Sequence, residues 1–367
     1  MTTTQAVKTV GLFLPNWVGD AVMATPAIRA IRRRFPRPTT LVGIMRPKMV
    51  ELFAGTEWFD EIWPWEPTLL TGPHSQTKLV QKLRGRQLEI LVLFTNSLRT
   101  ALLAFLGRAR RRVGYARDAR SLLLTDKIYP RTEAGRIVPE PMVRTYLALA
   151  EAIGCPPESP HLELAVTPQE KRLAAEVLAK LGFLGNGPIL GLVYAGAQGP
   201  ARRWPVEYYL ELARMVVRAT TWQVLIIVGP DERSIGRQIE AEVSHPRVRS
   251  VADLPSLGLG LAKACLEACQ VVISPDSGPR HIAAALGKPV ITLYGPTDPI
   301  WGANPTVRTI DLFVELPCLG CLEAVCPLGH HKCMRELKPS LVFGAFQQVA
   351  EGFPCQWATF RAVDAGH

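Results

Sequence analysis

Eight short apolar runs, at 8–14, 41–44, 90–94, 188–194, 223–228, 248–251, 270–274 and 289–294, recur along the chain with helix-period segments between them. A short apolar run bounded by turn residues suits a strand buried on both faces, and strands that alternate with helices build parallel sheets. The pattern predicts an α/β protein with doubly wound, Rossmann-like sheets, whose ligands collect beyond the carboxyl ends of the strands. With 367 residues the chain is longer than one core usually serves, so two domains are expected. Pro156-Pro157, Pro160 and Pro168 interrupt the chain after a helical pattern at 142–153. A helix near 168–181 stops at Gly182, and Gly185-Asn186-Gly187-Pro188 opens a second strand-rich half. The expected division is a first domain over 1–180 and a second over 181–339. A C-terminal helix at 340–351 and a poorly ordered tail at 353–367 follow.

Asp276-Ser277-Gly278-Pro279-Arg280-His281 lies between the apolar runs Val271-Val272-Ile273 and Pro289-Val290-Ile291-Thr292-Leu293-Tyr294, with a helical pattern ending at Gly287 in between. Strand, tight loop and helix in that order present helix N-terminal N–H groups at a sheet edge, where they attract phosphate. Pro279 suits the start of that helix, and His281 falls in its first turn. On residue type alone a plain capped helix is equally compatible.

The net charge of +10 is unevenly spread: residues 1–154 hold 23 Lys+Arg against 12 Asp+Glu, and the rest of the chain 19 against 20. The aromatic–basic interleaving of RNA-binding segments is absent, as is any groove-reading motif, so no nucleic-acid partner is expected. A basic half suits an anionic membrane surface or a phosphorylated glycolipid. The uncharged stretch Leu181–Ala201 is broken by Gly, Pro, Asn and Gln and does not read as a membrane span. No apolar segment with a small-residue cleavage site follows Lys8, so a cytoplasmic location is expected.

Four of the eight cysteines, Cys318, Cys321, Cys326 and Cys333, fall within sixteen residues, with His330 and His331 among them. In a cytoplasmic chain this spacing favours metal over disulfides, and a structural zinc, an iron–sulfur cluster and reduced thiols all fit it.

Asp276–His281, with Ala283-Ala284-Ala285-Leu286-Gly287 and Tyr294-Gly295-Pro296-Thr297-Asp298-Pro299, resembles the nucleotide-sugar motif of glycosyltransferase family 9, the ADP-heptose–lipopolysaccharide heptosyltransferases. Leu14-Pro15-Asn16-Trp17-Val18-Gly19-Asp20-Ala21 resembles the family's N-terminal loop. Gly196-Ala197-Gln198-Gly199-Pro200-Ala201-Arg202-Arg203-Trp204-Pro205 resembles its central loop, closest to the heptosyltransferase II branch. Asn96-Ser97 with Arg112-Val113-Gly114-Tyr115 resembles its acceptor-side segment.

The resemblance implies a GT-B fold of two Rossmann-like domains facing a central cleft. It also implies inverting transfer of heptose from ADP-heptose to the lipopolysaccharide inner core (a lipid A–Kdo acceptor) at the cytoplasmic face of the inner membrane, with no metal needed for transfer. It makes Asp20 the general base, where residue type alone also allows a helix cap, and lets Gly19 keep the backbone open to the sugar. Arg202, where the family generally has Lys, becomes the cation for the departing diphosphate, with Arg203 packing or solvated. Glu232, or Asp231 by a one-residue slip, becomes the ribose carboxylate. Asp276, Ser277, Gly278 and His281 become donor-binding, and Asn96 and Ser97 acceptor-binding. Two other functions remain compatible: an epimerase or transferase for another nucleotide-sugar, and a non-catalytic nucleotide- or metal-binding scaffold.

Overall fold

The computed structural model describes residues 7–66, 72–117, 119–133, 135–183, 187–194, 199–352 and 358–362. The chain divides into two compact units, one ending at Glu163 and the other beginning at Leu164.

In the first unit the strands are β1 (Thr9–Phe13), β2 (Thr40–Met45), β3 (Glu61–Pro64), β4 (Ile90–Leu93), β5 (Arg111–Tyr115) and β6 (Asp126–Ile128). They form one parallel sheet in the order β3-β2-β1-β4-β5-β6. Its helices are α1 (Val18–Met23), α2 (Thr25–Arg34), α3 (Pro47–Phe53), α4 (Gly72–Arg86), α5 (Leu98–Leu106) and α6 (Met142–Glu151), and a small antiparallel hairpin pairs β7 (Thr132–Glu133) with β8 (Arg136–Ile137). Phe13, Val42, Ile44, Leu91 and Leu93 meet Leu83 of α4 and Leu103 of α5 in one apolar cluster. Each fully buried side chain of this kind contributes about 1.5–3 kcal/mol of transfer free energy.

The second unit starts with α7 (Pro168–Lys180). Its strands are β9 (Ile189–Tyr194), β10 (Gln223–Val228), β11 (Val248–Ser250), β12 (Val271–Pro275), β13 (Val290–Leu293), β14 (Thr309–Val314) and β15 (Ala358–Ala362). All are parallel, in the order β11-β10-β9-β12-β13-β14-β15. Between them run α8 (Val206–Ala219), α9 (Arg233–Val243), α10 (Leu259–Ala268), α11 (Gly278–Ala285), the single turn α12 (Lys332–Arg335) and α13 (Pro339–Ala350). Both units therefore have the Rossmann-like α/β organisation expected from the alternation of runs.

The units part at Glu163, earlier than the expected 180/181 boundary, because α7 is tied to α10. The buried Lys263 ammonium lies 3.2 Å from Glu170, and Lys171 lies 2.9 Å from Glu267. Glu170 also completes a capping box with Thr167 at the start of α7. Helix α13 likewise belongs to the second unit: it packs on α8 and on β12 and β13, with Phe346 edge-on to Trp222 at 5.0 Å. The tail differs from expectation at 358–362, where β15 adds a parallel strand beside β14; the rest of 353–367 lies outside the described residues.

Candidate active site

The strand order reverses direction between β1 and β4 in the first unit and between β9 and β12 in the second. A doubly wound sheet opens a crevice at the carboxyl ends of two such strands, because their connections leave in opposite directions. Asp20, Asn96 and Ser97 follow β1 and β4 in the first unit, and Arg202 and Asp276 follow β9 and β12 in the second; Glu232 follows β10 and the four cysteines follow β14.

In the first unit, the loop after β1 leads into α1. Trp17 occupies the N-cap position without a side-chain cap bond, and Asp20 lies in the first turn. The half-buried Asp20 accepts a hydrogen bond at 3.0 Å, through Oδ1, from the hydroxyl of the buried Tyr146 on α6. Burial, and then the Asp20 charge, push the Tyr146 phenol well above its ordinary range, which keeps it a donor. In the same loop Asn16 Oδ1 accepts from Arg46 Nε at 3.1 Å. At the end of β4, Asn96 Oδ1 accepts from the fully buried Arg120 at 3.2 Å. Ser97 is the N-cap of α5 and accepts from the Thr100 N–H at 3.2 Å. Gly114 makes room for Arg120: a Cβ there would lie 2.9 Å from its Nη2.

In the second unit, Asp276 follows β12 directly and its carboxylate is gripped from two sides. Arg202 Nη1 lies 3.0 Å from Oδ2, and Arg280 Nε lies 2.8 Å from Oδ1. Burial opposes ionisation of Asp276, but the Arg280 and Arg202 guanidinium groups outweigh it and hold the carboxyl below its usual range. Arg280 also lies over the Tyr294 ring, 5.2 Å from its centroid. His281 Nε2 is 4.0 Å from Asp276 Oδ1. Burial and the neighbouring Arg280 pull the imidazole down to about 3, so His281 is neutral near pH 7 and can act only as a neutral hydrogen-bonding group. Helix α11 begins at Gly278, so Pro279 is its second residue. Its N-cap, Ser277, makes no side-chain cap bond; the hydroxyl faces Ser274 Oγ at 3.0 Å. This helix start directs backbone N–H groups past the carboxyl end of the sheet, as a phosphate site requires.

Glu232 closes the turn after β10, with its carboxylate folded over Gly229: a Cβ on that glycine would lie 2.5 Å from Oε2. The exposed Arg203 and the half-buried Glu232 both act on Tyr194 at the end of β9. Burial raises that phenol, Arg203 opposes the rise and Glu232 adds to it. Residues 195–198 of the central loop, including Gly196, Ala197 and Gln198, lie outside the described residues.

The rest of the central loop is braced by the Cys-rich segment. Ala201 donates its N–H to Ala324 O at 3.0 Å, and His331 Nε2 lies 2.8 Å from Ala201 O. At Gly199 φ is +118°, and a Cβ there would lie 2.4 Å from Ala324 O, so only glycine fits this close approach. Leu322 also donates to Pro296 O at 2.8 Å. The segment thus sets the backbone that carries Arg202. Cys318, Cys321, Cys326 and Cys333 line one small pocket with His330. The N–H groups of His331, Leu328, Gly329 and His330 turn toward Cys326 and lower its thiol pKa. As placed, no three His, Cys, Asp or Glu side chains among the described residues converge tightly enough to hold a metal ion. The donor chemistry suits a thiophilic metal; the placement does not by itself form its coordination sphere.

The family model for glycosyltransferase family 9 (heptosyltransferase) matches residues 76–332. The chain belongs to glycosyltransferase family 9. It is 27% identical over 297 residues to lipopolysaccharide heptosyltransferase 2 of Salmonella typhimurium, covering 78% of this chain and 82% of that protein. It is also 27% identical over 365 residues to lipooligosaccharide heptosyltransferase 2 of Haemophilus influenzae, covering 91% and 97%. The structure of E. coli ADP-heptose lps heptosyltransferase II has the same fold, with a TM-score of 0.74 and 23% identity over 93% of this chain and 98% of that one. The protein is thus a transferase enzyme with the Rossmann-like units of its family.

Sequence reasoning missed several residues that position the candidate side chains within each unit. Arg280 was legible as the i+4 partner of Asp276 on a helix start. Tyr146 and Arg120 reach Asp20 and Asn96 across long stretches of chain, and no local pattern marks them; His331 was legible as a member of the Cys-rich cluster, but not as a brace on Ala201.

Proposed function

We propose that this family 9 enzyme transfers heptose, with inversion, from ADP-heptose to the lipopolysaccharide inner core. The reading rests chiefly on the Arg202–Asp276–Arg280 lock beside the start of α11. A buried carboxylate there fixes a guanidinium where a diphosphate leaving group gains charge. The names of the relatives supply the sugar and the acceptor class.

In the reaction, the acceptor hydroxyl attacks the anomeric carbon from the face opposite ADP and gives its proton to Asp20. The bond from that carbon to the diphosphate oxygen breaks as the new glycosidic bond forms. Arg202 and the N–H groups of Ser277 and Gly278 stabilise the charge that develops on ADP. Tyr146 fixes the orientation of the base. Neutral His281 donates to or accepts from the donor sugar without adding charge, and Glu232 accepts the ribose hydroxyls. Asn96 sits beside the acceptor path. Gly19 leaves the backbone beside Asp20 open to it.

Association with the cytoplasmic face of the inner membrane is electrostatic in origin, through the basic residues before 155. Among the described residues no helix is long and apolar enough to cross a membrane. The Cys-rich segment is a structural element; a thiophilic ion bound by Cys318, Cys321, Cys326 and Cys333 would brace the loop that carries Arg202. Elemental analysis of anaerobically purified protein is expected to give roughly one equivalent of metal, lost on Cys321→Ser with Cys326→Ser. Metal-free protein with fully reactive thiols rules that cofactor out.

Incubation of purified protein with ADP-heptose, other ADP-sugars and UDP-sugars, with and without lipid-linked acceptor, tests the main reading. Acceptor-dependent ADP release from ADP-heptose alone supports it. Equal turnover of UDP-sugars, or epimerised donor without acceptor, overturns it.

A further inference from the structure

Helix α5, with the sequence Leu98-Arg99-Thr100-Ala101-Leu102-Leu103-Ala104-Phe105-Leu106, is apolar nearly all round, yet one side of it is open. Thr100, Ala101, Leu103 and Ala104 are buried against the sheet. Leu98, Leu102, Phe105 and Leu106 are 48%, 44%, 48% and 39% exposed, at the i, i+4, i+7, i+8 spacing of a single helix face. A helix with no polar side normally lies inside a core, so an outward apolar stripe calls for a partner. The short turn 120–123, which packs against α5, adds Leu122 at 90% exposed.

The rim of this stripe identifies the partner. From Arg99 to Arg117 the chain carries six arginines and no Asp or Glu. The Arg112 guanidinium stands 5.5 Å from the Phe105 ring centroid, and Arg84 of α4 donates to Leu106 O at 2.8 Å. Arg108 and Arg110 are exposed just beyond the helix end. A second copy would bring this arginine rim against itself. An anionic bilayer satisfies both parts, taking the apolar side chains below its headgroups and pairing the guanidinium groups with phosphates.

We propose that the outer face of α5 is the membrane-inserting surface of this protein, lying in the plane of an anionic lipid interface. The inference rests on the peripheral-membrane reading above and changes its physics. Charge attraction alone fades within about 8 Å at physiological salt, whereas apolar insertion persists when salt is raised. Helix α5 is capped by Ser97, next to Asn96, so the inserted face adjoins the proposed acceptor residues. Not every arginine of the cluster is available to lipid: Arg111 is held by Asp126 at 2.6 Å, and Arg112 donates to Leu123 O and Ala109 O at 2.7 Å.

Co-sedimentation with phosphatidylglycerol–phosphatidylcholine vesicles, at low and at high salt, tests the proposal. Leu102→Gln with Phe105→Gln should weaken partitioning about tenfold per side chain at both salt levels, while melting and turnover on a soluble acceptor stay as in the wild type. Leu98→Gln with Leu106→Gln, on the same face, is the independent second pair should the first fail to fold. Arg108→Glu with Arg110→Glu should weaken binding several-fold at low salt only. Loss with the glutamine pairs but not with the charge reversal keeps α5 as the anchor and removes the electrostatic reading. Wild-type binding by both glutamine pairs overturns the α5 proposal and leaves the electrostatic one standing. No vesicle binding by the wild type overturns both. A wild-type dimer in sedimentation velocity that the glutamine pairs dissociate, with vesicle binding intact, makes the face a self-association surface and overturns the proposal.

Discussion

Asp20 and Asp276 occupy matching places, each just beyond the carboxyl end of a strand at the point where its sheet reverses direction, and their surroundings differ in kind. Asp276 is clamped between Arg202 and Arg280, with its pKa held low. Asp20 is half-buried and oriented by a neutral phenol. A carboxylate fixed by two guanidinium groups is a scaffold for cations and a poor acceptor of protons. In the other unit, the hydrogen bond from the Tyr146 phenol orients the carboxylate of Asp20. The proposed roles follow this difference: Asp276 as a positioning anion in one unit, and Asp20 as the candidate base in the other.

The strongest challenge to this contrast is Asp20→Asn. Turnover, followed as ADP release, should fall about 10²–10⁴-fold while ADP affinity and melting stay near wild type. Unchanged turnover removes Asp20 as base.

Asp276→Asn should show the opposite profile. It leaves two guanidinium groups without their carboxylate, so urea unfolding should show a loss of about 3–5 kcal/mol. A variant as stable as the wild type means the lock is not structural.

Arg202→Ala should weaken ADP binding about 10–100-fold by titration calorimetry, and Arg203→Ala only a few-fold. The reverse order would move the leaving-group cation to Arg203, beside Tyr194 and Glu232.

The smallest effect is a pH dependence. The folded His281 pKa, about 3, lies below its ordinary 6.5, so between these values the unfolded chain binds a proton that the native state refuses. Stability should therefore fall as pH drops from 6.5, with a slope approaching one proton. His281→Gln should flatten that slope above pH 3.8, where Asp276 does not yet contribute. Asp276 acts in the same direction at lower pH: its stabilisation is present above 3.8 and is lost as pH falls toward its depressed folded value. An unchanged slope in the glutamine variant would mean that His281 is not buried neutral.

The central strands were legible because they are nearly pure apolar runs. Val224–Val228 and Val271–Ile273 are buried on both sides of a parallel sheet, and their period needs no context. The strands that were missed share a cause. β5 opens with Arg111 and Arg112, β3 is a short edge strand ending at Pro64, and β14 carries Asp311 inside its apolar run. That aspartate is tolerated because Thr309 donates to it at 2.8 Å; burial raises its pKa, and the nearby Arg280 opposes the rise. The candidate anion site was legible at Asp276–His281, since a helix start with Gly and Pro is a local signal. The α5 surface was not: its sequence resembles a core helix, and only its position against the sheet leaves Leu102 and Phe105 facing out.

By itself the sequence determined the α/β class, the two Rossmann-like units, the family and the loops that carry Asp20, Arg202 and Asp276. These depend on periodicity and short-range turn chemistry, which adjacent residues encode. Only the tertiary structure decided that α7 belongs to the second unit, that His281 is neutral and that Tyr146 orients Asp20. It also decided that the Cys-rich segment braces Arg202 and that an apolar face of α5 is left open. Each of these is a matter of burial or of contact between residues far apart in the chain. Burial and contact exist only once the sheets have formed and packed.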